Sequence, residues 1–370
     1  MGALKAKIRE FQPDIVHAHF GLSAITAELQ SLVPVVTTFH NGETLNWHVN
    51  LMSSLMSLRA KHVIYVAQHI RDLSYFKAKN YSIIPCGVPM EQMTIIPKDE
   101  ARRQLGWDLD KKYILFGGAF ANTRKNYALL RDAVAQLGPF YSTSDPQLVP
   151  QVPNNFSNNP LREQVSTPDT PSQLVPQLTN NSSNNAQKEQ VNPSIACSPT
   201  PQSSPLACSL SPDSASKTQL GEQPSSPSPV TGNPSPIEVV EMKGLSRAEC
   251  VLRMNACDLF ALPSHSEGSP QALKEAMAVN CPCLATDIAD VRYLFGNEPG
   301  HWILRNPRKT HERWDADENS LNEMVDLLRE ALSFSGRTHG RERILALELS
   351  NEQVAQRIIA IYQDVIKKED

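Results

Sequence analysis

The chain has 370 residues, a net charge of −4 and 40% hydrophobic residues, enough for about two domains of ordinary size. That balance offers no basic field for nucleic acid, and no apolar run is long enough for a transmembrane segment. The opening MGALKAKIREF has no apolar signal core, so the expected location is cytoplasmic, with peripheral contact at the inner face of the cytoplasmic membrane left open.

In chain order, the strand candidates are 14–19, 34–40, 62–67, 81–87, 113–118, 237–241, 258–264 and 282–287. Several are nearly continuous Val, Ile, Leu and Phe, the pattern of strands covered on both faces. Helices fit between them at 22–31, 45–60, 126–137 and 247–256. Three Ser-x-x-Glu/Gln capping boxes mark later helix starts: Ser246 with Glu249, Ser320 with Glu323, and Ser350 with Gln353. This alternation predicts an α/β fold with two parallel sheets.

Residues 141–236 differ in kind. They are rich in Pro, Ser, Asn and Gln and hold a near-duplicate, QLVPQVPNNFSNNPLREQV and QLVPQLTNNSSNNAQKEQV. The reading is a disordered insert, with a protein-binding linker as the alternative. Such an insert leaves a fold feasible, because lengthening a loop from ten to a hundred residues adds roughly 2 kcal/mol. The expected organisation is a first domain over 1–97, a second over 98–140 and 237–349, the insert between its parts, and a C-terminal helix over 350–370 that could pack back on the first domain. Cys281 and Cys283, among seven cysteines, read as buried small hydrophobes rather than zinc ligands.

Three clusters could carry chemistry. The chain leaves the strand DLFALPS as HSEGSPQ, where Ser269 reads as a cap and Pro270 as the first helical residue. A helix start beyond a strand's carboxyl end suits phosphate, and Gly268 allows close backbone approach. Glu267 and Glu275 could then hold hydroxyl-bearing groups on either side of a diphosphate; a loop charge and a solvated helix residue are the alternative. After YILFGG, which ends in Gly118, the adjacent cations Arg124 and Lys125 could neutralise a diphosphate, or form a plain basic surface loop. His17, His19 and His40 lie at strand ends. They read as hydrogen-bonded core histidines, as ligand contacts or, given further ligands, as the start of a metal-hydrolase site.

In this order the segments PDIVHAHFGLSA, VPVVTTFH, SIIPCGV, ARRQLG, ILFGGAF…RKN, MNACDLFALPS, EGSPQALKEAMA and EQVAQRIIAIYQDV resemble the family 4 (group 1) retaining glycosyltransferases, across nearly everything but the insert. The resemblance implies the GT-B fold of two facing Rossmann-like domains. It implies sugar transfer, in polysaccharide or glycolipid assembly, from a nucleotide-sugar to a sugar or lipid-linked acceptor, with no cofactor and no metal. It places Glu267 on the donor sugar and Glu275 on the ribose. The backbone around Gly268, Ser269, Gln271 and Ala272 would bind sugar hydroxyls and phosphate, Arg124 and Lys125 the departing diphosphate, and His40 would line the cleft. The chain begins at a point matching the middle of the family's first domain, so that domain reads as N-terminally truncated. Ala119 and Ala289 stand where the family commonly has Arg and Gly. The alternatives are a truncated, non-catalytic nucleotide-binding or interaction fragment, and a nucleotide-sugar epimerase.

Overall fold

The computed structural model describes residues 2–41, 46–138, 236–305 and 318–368. The expected insert at 141–236 lies outside them except for Pro236 at its end.

The first sheet is built from β1 (Val16–His19), β2 (Val35–Phe39), β3 (His62–Tyr65) and β4 (Tyr81–Ile83), in the order β1-β2-β3-β4 and parallel throughout. The helices α1 (Gly2–Phe11), α2 (Gly21–Glu28), α3 (Trp47–Ser57) and α4 (Gln68–Leu73) belong to this half. One face packs Phe39, Val63 and Tyr65 with Ile70 of α4. Val36, Ile64 and Ile84 form a second cluster with Val354 and Val365 of the long C-terminal helix described below. The strand expected over 81–87 stops at Ile83. Beyond it, Val88 forms a parallel bridge with Ser350.

The second sheet runs β6-β5-β7-β8-β9, again parallel: β5 (Lys112–Phe116), β6 (Ile237–Glu241), β7 (Leu259–Leu262), β8 (Cys283–Thr286) and β9 (His301–Leu304). Its helices are α5 (Lys98–Leu105), α6 (Tyr127–Leu137), α7 (Arg247–Ala256), α8 (Gln271–Ala278), α9 (Val291–Phe295), α10 (Glu318–Ser333) and α11 (Gly340–Ala346), and α12 (Asn351–Lys367) follows. Alternation along the strands divides the core in two. Tyr113, Leu115, Phe260, Leu262, Cys283 and Ala285 face α7, α8, α9 and α11. Ile114, Phe116, Leu259, Ala261, Leu284 and Leu304 face α6 and α10. This is why the strands read as continuous apolar runs.

α5 is anchored to the second sheet by charge. Buried Arg102 pairs with Asp258 at 2.6 Å, and the same carboxylate accepts from Tyr113 N at 2.8 Å. Capping boxes start α7 at Ser246 and α12 at Ser350, as expected. The third box fails. Ser320 lies buried inside α10, and Glu323 turns to Arg305, accepting from its backbone N at 3.1 Å. Residues three apart are neighbours anywhere on a helix, so the spacing alone does not mark an end. α1, α4, β9, α9 and α11 were not anticipated. Cys281 and Cys283 are fully buried in the core, as read.

Candidate functional site

The turn after β5 and the loop after β7 meet at the carboxyl ends of adjacent parallel strands, where ligands of open α/β sheets bind. Asn122 accepts from Arg124 N at 3.2 Å and opens a short 3-10 turn over Thr123–Lys125. His265 N donates to Arg124 O at 2.9 Å, stitching this turn to the β7–α8 loop. Lys125 Nζ then reaches Glu267 Oε1 at 2.5 Å, with both side chains largely withdrawn from water. Gly118 lies under the Lys125 stem, where an added Cβ would stand 2.8 Å from Lys125 Cγ. Arg124 is exposed on the same turn.

Glu267 and Gly268 face the first sheet. A Cβ on Gly268 would lie 2.1 Å from His40 O, an impossible contact, so only glycine permits this approach. His69 Nε2, on α4, donates to Glu267 O at 3.2 Å; burial lowers its pKa, which suits a neutral donor. A pocket of about 180 Å³ lies here, lined by Asn41, His69 and Leu73 from the first half and by His265, Ser266, Glu267, Ile288 and Ala289 from the second.

The start of α8 differs from the expectation by one residue. Pro270 is the N-cap and Gln271 the first helical residue. The helical ladder begins with Lys274 N to Pro270 O at 3.3 Å, so the amides of Gln271, Ala272 and Leu273 have no acceptor within the helix. Ser269 does not cap. Its hydroxyl donates to Asp290 Oδ2 at 2.6 Å and accepts from Lys274 Nζ at 3.1 Å. Glu275 stands apart from the pocket, its Oε1 held by Arg247 at 2.5 Å.

The three strand-end histidines form a chain of their own. His17 bonds Tyr362 Oη (2.5 Å) and Thr38 Oγ1 (2.7 Å), and His19 Nδ1 meets His40 Nε2 at 3.1 Å. Burial and then the two neighbouring imidazoles push the His17 pKa down to about 4. Among the described residues, no three His, Cys, Asp or Glu side chains converge as a metal-binding group.

The structure therefore brings Lys125, Glu267, Gly268, Gly118 and the His40 backbone together, with Arg124 on the same turn and Ser269, Gln271 and Ala272 at the α8 start. Sequence reasoning missed Arg247, His69, Lys274 and Asp290. Arg247 carried one signal: a cation in the first turn of a helix opposes the dipole and so calls for a partner such as Glu275.

Two family models match the chain: "Glycosyltransferase Family 4" over residues 1–92 and "Glycosyl transferases group 1" over residues 238–314. The first half of the chain thus resembles the family 4 glycosyltransferases and the second half the group 1 glycosyl transferases. Its fold is GT-B. Sucrose-phosphate synthase from Thermosynechococcus elongatus superposes with a TM-score of 0.59 at 16% identity, over 99% of this chain and 77% of that one. Anabaena HepE in complex with UDP and glucose gives 0.55 at 14%, over 97% and 81%. A Rickettsia africae glycosyltransferase gives 0.55 at 12%, over 99% and 80%. A putative teichuronic acid biosynthesis glycosyltransferase, TuaC of Bacillus subtilis, is 44% identical over 50 residues, 14% of this chain and 13% of that protein's length. Among the described residues, no helix is long and apolar enough to cross a membrane.

Proposed function

We propose that the protein is a retaining glycosyltransferase that moves a sugar from a nucleotide-diphosphate-sugar to a glycan or glycolipid acceptor in the cytoplasm. The observation that carries this reading is the contact of Lys125 with Glu267 beside the start of α8. It sets a cation against a carboxylate in the loop that leads directly into a helix start, whose first amides have no acceptor within the helix. The amides of Gln271 and Ala272, with the positive end of α8, receive the diphosphate. Lys125 and Arg124 neutralise the charge that grows on it as the glycosidic bond breaks. Glu267 holds the donor sugar, Glu275 the ribose, and His40 lies beside the reacting centre. HepE, which shares the fold, has been seen with UDP and glucose, and that supports a nucleotide-sugar as donor.

The test is thermal. UDP, GDP, CDP, ADP and dTDP are added in turn, and at least one raises the melting temperature of the wild type. Glu275→Ala abolishes the shift. Absence of any shift in the wild type would refute the reading, and binding without transfer to any acceptor would favour a non-catalytic nucleotide-binding module.

A further inference from the structure

Lys274, on α8, has no exposed surface. An ammonium group removed from water is costly and persists where it makes strong bonds. Its Nζ turns beneath the loop before α8. There it donates to Cys86 O at 2.6 Å and Ser269 Oγ at 3.1 Å, and Ser269 passes the interaction on to Asp290 Oδ2 at 2.6 Å. Burial lowers the Lys274 pKa and raises that of Asp290, so each charged form depends on the bonds it keeps.

The acceptors belong to different halves of the molecule. Cys86 and Gly87 follow β4 of the first sheet, whereas Ser269 and Asp290 flank the donor loop of the second. Gln271 Nε2 adds a bond to Gly87 O at 2.8 Å. The far end of α8 is tied to the same crossing segment: Arg341 NH1 donates to Ala278 O at 2.9 Å and to Met93 O at 2.7 Å. α8 is thus pinned at both ends to the chain that leaves the first sheet, and Lys274 and Gln271 are the pins at the end that adjoins the Glu267 loop.

We propose that Lys274 is a positioning residue, whose buried ammonium fastens the Glu267–Ser269 loop to the Cys86–Gly87 backbone and so fixes the geometry in which the α8 N-terminus receives the diphosphate. This rests on the donor-site reading above. Lys274 touches no ligand; it acts through Ser269.

The experiment is a double-mutant cycle on binding. Calorimetry first identifies which of UDP, GDP, CDP, ADP and dTDP binds the wild type most tightly. That nucleotide is then titrated into Lys274→Met, Ser269→Ala and the double variant, and melting temperatures are recorded alongside. Methionine keeps the length and apolar stem while removing the charge. The expected result is a Kd at least tenfold higher for Lys274→Met and severalfold higher for Ser269→Ala. The double variant is no weaker than Lys274→Met alone, because both cuts sever one chain. Should Lys274→Met fail to fold, Ser269→Ala against wild type decides. Wild-type affinity within twofold in the folded variants, or losses that multiply, would overturn the inference. Failure of every nucleotide to bind the wild type would instead overturn the donor-site reading itself.

Discussion

Lys125→Met and Glu267→Gln, alone and together, separate what the Lys125–Glu267 contact does for stability from what it does for chemistry. The ions are 2.5 Å apart, with side chains 17% and 11% exposed. At an effective dielectric near 20, unit charges 4 Å apart attract by about 4 kcal/mol. Removing one partner of a fully buried pair costs about 3–5 kcal/mol, chiefly because the other charge is stranded. With partial exposure, each single variant is expected to lose about 2–3 kcal/mol, and the double variant to lose little more than either, a coupling of about 2 kcal/mol. Urea denaturation followed by far-UV circular dichroism on all four proteins measures it. Transfer activity behaves otherwise and stays lost in the double variant, since neither side chain can then serve the donor. A coupling below about 0.5 kcal/mol, or activity restored with stability, would refute this account of the pair.

Gly268→Ala is expected to reduce transfer sharply and destabilise the fold by about 1–3 kcal/mol, because its Cβ would drive into His40 O; activity and melting curves together check this. Ala289 sits at φ 52° beside the pocket, so Ala289→Gly should stabilise by about 1 kcal/mol, measured by denaturant titration, and an unchanged midpoint would count against strain there. Burial raises the Glu28 pKa to about 7, above its ordinary value. Its contribution is therefore fully present below about pH 4.5 and lost as pH rises through about 7. After allowing for solvent screening this amounts to about 1–2 kcal/mol. Glu28→Gln should flatten that slope, and identical slopes in both proteins would contradict it.

The sheets were legible because both faces of most strands are covered, leaving unbroken runs such as DLFAL and YILFGG. β9 was not, since HWIL is short, opens on a histidine and follows a glycine turn. Ser246 and Ser350 could be read as caps because hydrophobic periodicity begins just after them, whereas Ser320 has the same spacing within a helix that is already under way. Around the donor loop, local chemistry exposed Glu267, Gly268 and Lys125. It could not show that Ser269 turns inward, because Asp290 and Lys274 reach it only once α8 has packed. Arg247 and His69 were hidden for the same reason, since their partners lie 28 and 198 residues away.

The most direct test is a crystal structure of the protein with its tightest-binding nucleoside diphosphate. The account predicts the terminal phosphate within about 3 Å of the amides opening α8 and of Lys125 Nζ, with the ribose hydroxyls on Glu275. A nucleotide seated anywhere else, with Lys125 turned away from it, would contradict the account.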